Sequence, residues 1–315
     1  WTGRVGLIES ALEKPLRRPT PTCYAVGLMG DLFHPNLPDW ARDRVFATMA
    51  VSPQHTFVCL TNRPENQARY LCTPQRGESV WDRACAISSH LEDEVQNDLL
   101  ERRWLWPLPN VILGVSAWDQ ASADEACEWL GKTPAACRLL CLEPLLAQVD
   151  FSSFVGHAGR YDDPFVSGKR TPSGKLLFTC QVCGRETSGA EKRCEGFLDW
   201  LIVGGETGPG ARLCEVEWIR AIVRQCKQAG VPCFVKQLGA RPADEHTSYG
   251  VGAWVNDEGD IMGPILRSRN GSDPAEWPED LRVREFPARV AAGRLLDGRE
   301  HNGRLEVKHG ATATE

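Results

Sequence analysis

Polar side chains stand at the ends of several short apolar runs, and these residues have the clearest potential for chemistry. An apolar run that stops at a glycine or a polar residue is typical of a strand buried on both faces. Carboxylates in a shared pocket bind amino groups or hydroxyls, and a lysine balances them or binds a phosphate. A structural ion network is the alternative. The cofactor-binding candidates are Asp31, Arg63, Ser116, Glu143, Gly204, Gly205, Glu206, Lys236 and Gln237.

A second candidate is a metal site formed by cysteines. Cys180 and Cys183 are three residues apart and are followed by a glycine, which is the spacing of a knuckle around a tetrahedral ion. Cys194 follows, and His157 or Cys214 is the candidate fourth ligand. The motif does not open a helix, which disfavours a redox function. The spacing predicts a structural zinc ion, and free thiols are the alternative.

The elements that position these residues are six predicted strands, and helical patterns follow most of them. An apolar face indicates a helix after the first strand, and apolar residues spaced i, i+3, i+4 and i+7 indicate helices after the third and fifth strands. A short helix is expected over 64–72. The stretch 74–109 is irregular apart from a charged helical segment near 91–103. The predicted strands are 22–31, 56–61, 111–116, 137–144, 201–205 and 232–239.

Alternating strands and helices predict an α/β fold with a parallel sheet. Both an open doubly wound sheet and a (β/α) barrel place chemistry at the carboxyl ends of the strands. No GxGxxG motif opens the first helix, which favours a TIM-like barrel, complete or partial. We expect a first half of the barrel at 1–149, a cysteine-containing insertion at 150–197, a second half at 198–240, and a hairpin and helix extension with a polar tail at 241–315.

Composition and charge indicate which broad classes of protein the chain fits. The chain of 315 residues is 42% hydrophobic, which suffices for a full core, and its net charge of −6 disfavours a general nucleic-acid coat. It has no apolar run long enough to predict a membrane span. The 13 scattered cysteines indicate a reducing, cytoplasmic setting. Because the chain opens on Trp1, we expect the natural N-terminus to lie upstream.

The sequence resembles a phage-associated family of uncharacterised proteins with a radical-SAM-like barrel. The resemblance covers most of the chain outside the insertion and the tail. The segments that carry it are GDLFHPNLPD (30–39), PQHTFVCLTNRPE (53–65), LPNVILGVSAWDQ (108–120), TPAACRLLCLEPLL (133–146), LDWLIVGGETGPGAR (198–212), GVPCFVKQLG (230–239) and DPAEWPEDLRVREFP (273–287).

That resemblance implies S-adenosylmethionine and a four-iron four-sulfur cluster as cofactors. The cluster ligands of such proteins lie in a cysteine-rich upstream stretch, of which Cys23-Tyr24-Ala25 echoes only the end. Gly204-Gly205-Glu206 resembles the Gly-Gly-Glu that binds the methionine amino group. The resemblance therefore implies an enzyme of a phage or its bacterial host that acts on a nucleic-acid or related substrate, with catalytic residues unknown. The alternative is a non-catalytic barrel whose zinc knuckle binds nucleic acid or a protein partner.

Overall fold

The core of the fold is a six-stranded parallel sheet whose strands follow one another in chain order. The computed structural model describes residues 5–28, 30–88, 105–152, 154, 157–158, 169–170, 176–179, 186–187, 193–194, 197–243 and 270–286. In the order of the sheet, the strands are β1 (Cys23–Val26), β2 (Thr56–Thr61), β3 (Val111–Ala117), β4 (Cys137–Leu142), β10 (Trp200–Gly204) and β12 (Cys233–Gln237). A doubly wound sheet would reverse its order at a switch point. The consecutive order is that of a partial (β/α) barrel, as expected.

Most strands of this sheet occupy the expected runs. All five residues of β10 are buried, and so are five of the six residues of β2, because continuous apolar runs allow a strand to be covered on both faces.

The first strand differs from the expectation of a buried strand over 22–31. It ends at Val26, and Gly27 leaves the strand with a φ of 72°. Asp31 therefore lies in the following turn, where its N–H donates to the Gly27 carbonyl at 2.6 Å. Only Cys23 of β1 is buried. The physical reason is that, among the strands that the structure describes, β1 pairs in the sheet with β2 alone and is therefore less fully covered.

Helices lie between the strands, as the apolar spacing predicts. The helix after β10 ends at Gly230, whose φ of 70° is the left-handed cap that glycine favours. Two helices were not expected, one before β1 and one over 76–88, where charged residues obscure the apolar face. The segment near 91–103 lies outside the described residues. The helices are α1 (Glu9–Arg17), α2 (Asp39–Ala50), α3 (Pro64–Leu71), α4 (Arg76–Ser88), α5 (Gln120–Lys132) and α6 (Val216–Ala229).

The chain divides into two compact units. The first comprises residues 1–116, 128–141 and 286–315, and its core is built around α2, in which nine of the twelve residues are buried. The second comprises residues 117–127 and 142–285, and in it α6 buries Ile219, Ile222 and Cys226. In the second unit, residues 283–285 run along the outer edge of β12.

The insertion contains short antiparallel strands. β5 (His157–Ala158) pairs with β9 (Arg193–Cys194), while β7 (Leu176–Thr179) pairs with both β6 (Lys169–Arg170) and β8 (Glu186–Thr187). β11 (Cys214–Glu215) pairs in parallel with β13 (Pro242–Ala243). Cys180, Cys183 and the expected C-terminal hairpin and helix lie outside the described residues. Across the residues that are described, no helix is long and apolar enough to cross a membrane.

Candidate functional site

Three polar residues from the ends of β4 and β12 meet in the second unit, and we call them the Glu143 cluster: Glu143, Lys236 and Gln237. Glu143 directly follows β4, and the other two end β12. Glu143 Oε1 accepts hydrogen bonds from Lys236 Nζ at 2.8 Å and from Gln237 Nε2 at 2.6 Å. Two strand ends that are far apart in sequence therefore supply one charge-balanced group, as the pattern of polar strand ends predicts.

The burial of the Glu143 cluster is graded. Gln237 is almost fully buried, whereas the side chains of Glu143 and Lys236 are 19% and 40% exposed. Gln237 Nε2 also donates to the Gly205 carbonyl at 3.0 Å, which fixes the amide. Both contacts of the carboxylate are made by Oε1, and the partly exposed ammonium retains further donors. The arrangement is suited to a ligand that offers hydroxyl or amino groups to the carboxylate and an anionic group to the lysine.

Glu206 follows β10 as expected, but its carboxylate is bound by Arg212. The Arg212 guanidinium donates to both carboxylate oxygens at 2.8 Å, and the Arg212 backbone N–H donates to Oε2 at 2.7 Å. These hydrogen bonds and the positive charge lower the pKa of Glu206 to about 2. The structure thus uses the Glu206 charge to close the loop over 206–212.

Gly204 and Gly205 are explained by contacts with β12 and the residue after it. A Cβ atom on Gly205 would lie 2.2 Å from the Leu238 carbonyl oxygen, and one on Gly204 would lie 3.0 Å from Gln237 Nε2. The sequence pattern suggested a close approach of this backbone to a ligand. In the structure, the space beside Gly205 is occupied by the protein's own backbone.

A second polar group, the Asp31 cluster, lies in the first unit and consists of Asp31, Thr61 and Arg63. Asp31 Oδ1 accepts from Thr61 Oγ1 at 2.8 Å and from the Phe33 N–H at 2.9 Å, and Arg63 forms an ion pair with Oδ2. Asp31 has a φ of 53°, a left-handed conformation that aspartate tolerates better than most residues. Thr61 was not among the candidates, although it is a polar residue at the last position of β2.

Ser116 lies within β3, one residue before the strand ends at Ala117, and it is partly exposed. The structure thus groups the candidates into two sets, Asp31 with Arg63 and Glu143 with Lys236 and Gln237. The Glu206 carboxylate is instead paired with Arg212. Whether all of them share one rim stays a prediction.

Of the residues in the zinc prediction, His157 and Cys194 lie in described strands, and the structure gives their backbone pairing. Cys194 of β9 is the direct partner of His157 in β5, so one predicted ligand lies opposite a candidate fourth ligand. Cys214 is buried, and burial raises the pKa of its thiol to about 12, and its assignment as the fourth ligand stays a prediction. Within the described ranges no three His, Cys, Asp or Glu residues group around a metal position.

β1 offers a single cysteine, whereas an iron–sulfur cluster is held by several thiolates. Cys23 is buried in the strand, and this burial raises the pKa of its thiol to about 11. The sequence echo at Cys23-Tyr24-Ala25 therefore does not supply a ligand set by itself. The polar groups of the Glu143 cluster, in contrast, fit the ribose hydroxyls of an adenosyl group.

Comparison with known proteins and protein families gives a match to a family. The model of a family described as "Protein of unknown function (DUF5131)" matches residues 1–304 of the chain. No curated protein and no solved structure matches it.

Proposed function

Because the chain belongs to the DUF5131 family of proteins of unknown function, we propose its function from the geometry of the Glu143 cluster. It is a radical-SAM-like barrel protein that binds the adenosyl part of S-adenosylmethionine at this cluster. It acts on a nucleic-acid or related substrate when an upstream iron–sulfur segment is present. When bound beside a reduced iron–sulfur cluster that donates one electron, S-adenosylmethionine would supply radical chemistry.

The observation that supports this proposal is the contact of Glu143 with Lys236 and Gln237. It places a carboxylate, an ammonium and a fixed amide at the carboxyl ends of β4 and β12, where ligands of parallel α/β folds bind. The Glu143 carboxylate accepts hydrogen bonds from ribose hydroxyls, and Gln237 holds it in position. Lys236 balances the charge of the Glu143 carboxylate and attracts an anionic group of the ligand.

The test is calorimetric binding of S-adenosylmethionine and of adenosine to the purified chain, which requires no turnover. We expect saturable binding that Glu143→Gln weakens about tenfold or more, because a hydrogen bond to a charged group contributes roughly 1.5–3 kcal/mol. Glu217→Gln is the matched control, since Glu217 is an exposed carboxylate that pairs with Arg224 in the same unit. No binding at millimolar ligand, or equal affinity for Glu143→Gln and wild type, contradicts the proposal.

The second candidate function is a binding module whose zinc knuckle contacts nucleic acid or a protein. The pairing of Cys194 with His157 favours it, because two residues of ligand type stand opposite each other in the backbone register. We expect about one zinc per chain by elemental analysis, lost in Cys180→Ser and Cys183→Ser. Cys72→Ser is the control, because Cys72 is exposed and lies outside the insertion. Freshly purified protein without zinc excludes this function.

A further inference from the structure

Trp118 is the first residue after β3, and the second unit places it beside the segment that begins at Glu143. The Leu146 N–H donates to the Trp118 carbonyl, and the Leu145 N–H donates to the Gly204 carbonyl, both at 2.8 Å. The segment after β4 is therefore hydrogen-bonded to the residue after β3 on one side and to the end of β10 on the other. Trp118 and Glu143 thus lie at the same end of the sheet.

The exposure of Trp118 differs from that of two other tryptophans in the same unit. Trp200 and Trp277 are almost fully buried, and each indole N–H donates to a backbone carbonyl. These two rings fill the core. Trp118, in contrast, is 40% exposed. A partly exposed indole at the end of a strand offers a large, flat apolar surface to a ligand.

The backbone of Trp118 is fixed by the start of α5. Ser122 Oγ accepts hydrogen bonds from the Trp118 N–H at 3.0 Å and from the Asp119 N–H at 3.1 Å. Asp119 Oδ1 in turn accepts from the Ser122 N–H at 2.9 Å, which caps the helix. Together with the contact to Leu146, these bonds engage both backbone polar groups of Trp118. A ring on such a preorganised segment loses less conformational entropy when a ligand binds.

The order of groups along this end of the sheet matches that of a nucleoside with a charged substituent. β3, β4, β10 and β12 are successive neighbours, so Trp118 lies on one side of Glu143 and Lys236 on the other. Between them, β10 ends at glycines, which have no side chain. With a strand spacing of about 4.8 Å, the three intervals span about 14 Å. An aromatic surface, a carboxylate and an ammonium thus follow one another as a base, a sugar and a charged substituent do.

We propose that Trp118 stacks on the base of the ligand that binds at the Glu143 cluster, which makes this a site for a nucleoside with a flat, unpaired base. The inference rests on the proposed function, and it assigns a partner to the adenine of S-adenosylmethionine. Every base has a flat π-surface, so the indole contributes affinity, while the contacts of Glu143 with the sugar hydroxyls orient the ligand. A purine covers more of an indole than a pyrimidine does, so the site prefers adenosine to uridine.

Calorimetric binding of adenosine to the purified chain and its variants tests the stacking. We expect Trp118→Ala to weaken binding about tenfold or more and Trp118→Phe to retain most of it, since a phenyl ring also stacks on a base. Trp40→Ala is the control, because Trp40 is 49% exposed but belongs to the first unit. In nuclear magnetic resonance spectra, the adenine ring protons are expected to shift upfield on binding to the wild type and not on binding to Trp118→Ala.

Binding of 2′,3′-dideoxyadenosine separates this inference from the proposed function. This nucleoside keeps the base but lacks the sugar hydroxyls, so Trp118→Ala is expected to weaken its binding and Glu143→Gln to leave it unchanged. Equal adenosine affinity for Trp118→Ala and the wild type overturns the stacking, and the proposed function stands if Glu143→Gln still weakens adenosine binding. Absence of binding for adenosine and S-adenosylmethionine at millimolar concentration overturns both.

Discussion

At the scale of residues, the first unit contains a buried network of ion pairs and hydrogen bonds around Asp43. The Asp43 carboxylate accepts hydrogen bonds from Arg76 and from the Tyr70 hydroxyl, each at 2.8 Å, and the Arg76 guanidinium lies 4.2 Å from the centre of the Tyr70 ring. Burial, followed by the charge of Asp43, raises the pKa of Tyr70. The network joins α2, α3 and α4, so it links the helix that follows β1 to the two helices that follow β2.

Replacement of Arg76 is expected to lower the free energy of unfolding strongly. Arg76→Met leaves the Asp43 carboxylate buried without its main counter-charge, which typically costs about 3–5 kcal/mol of unfolding free energy. Urea unfolding measures this loss of unfolding free energy. Arg69→Met is the control, because the Arg69–Glu65 pair is exposed and typically contributes at most about 1 kcal/mol. Equal midpoints for the two variants contradict a structural role for the network.

The Glu206–Arg212 pair gives a pH prediction. Hydrogen bonds from Arg212 lower the pKa of Glu206 from 4.5 to about 2, so the pair contributes fully above pH 4.5 and its contribution is lost as the pH falls towards 2. A carbon-13 titration of the carboxylate measures this pKa. In Arg212→Gln we expect it to rise towards 4.5, and in Arg224→Gln to stay unchanged. A wild-type titration near 4.5 refutes the geometry of the loop.

At the scale of elements, Gly205 determines how closely the end of β10 approaches the backbone after β12. In Gly205→Ala, the methyl group would meet the Leu238 carbonyl at 2.2 Å, so the strands must separate. We expect a loss of about 3 kcal/mol or more in unfolding free energy, the upper range for overpacking. Denaturant unfolding of Gly205→Ala measures it.

The matched control for Gly205 is Gly208, in the loop that follows. A Cβ atom on Gly208 meets open space, and only its φ of 92° is unfavourable, so Gly208→Ala is expected to cost about 1–2 kcal/mol. If Gly205→Ala is no more destabilising than Gly208→Ala, backbone contact with Leu238 is not the reason for a glycine at 205.

At the scale of the whole molecule, the net charge of −6 limits how many phosphate groups of a nucleic acid the chain is expected to neutralise. A protein that neutralises many phosphates shows steep salt dependence, with a slope of about −0.7 per contact for single strands in a plot of log affinity against log salt. We expect a slope no steeper than about −2 for labelled single-stranded DNA or RNA, measured by fluorescence anisotropy between 50 and 200 mM salt.

Lys236 is the lysine to test in that measurement. If it meets a substrate phosphate, Lys236→Met reduces the slope by about one unit. Lys132→Met should not change it, because Lys132 is an exposed lysine already paired with Glu128. A slope near −6 in the wild type would indicate an extended basic surface, which the overall charge does not predict.

Local sequence determined much of this fold because buried strands have a local signature. The runs at β2, β10 and β12 are apolar and bounded by polar residues or glycine, and this suffices to place them within a residue or two. The same reasoning placed polar residues at strand ends, where Glu143, Lys236 and Gln237 lie. It failed for β1, whose apolar run continues past Val26, because no local pattern shows that a strand stands at the edge of a sheet.

Partners of the polar residues were decided by tertiary structure alone. Glu143 and Lys236 are 93 residues apart, and they meet because the register of the sheet brings the ends of β4 and β12 together. Glu206 could have joined them, but a loop with Arg212 at its end gave its carboxylate a nearer partner. Sequence by itself determined which residues avoid water and which stand where strands end. Which charges neutralise one another depended on distances that only the folded chain defines.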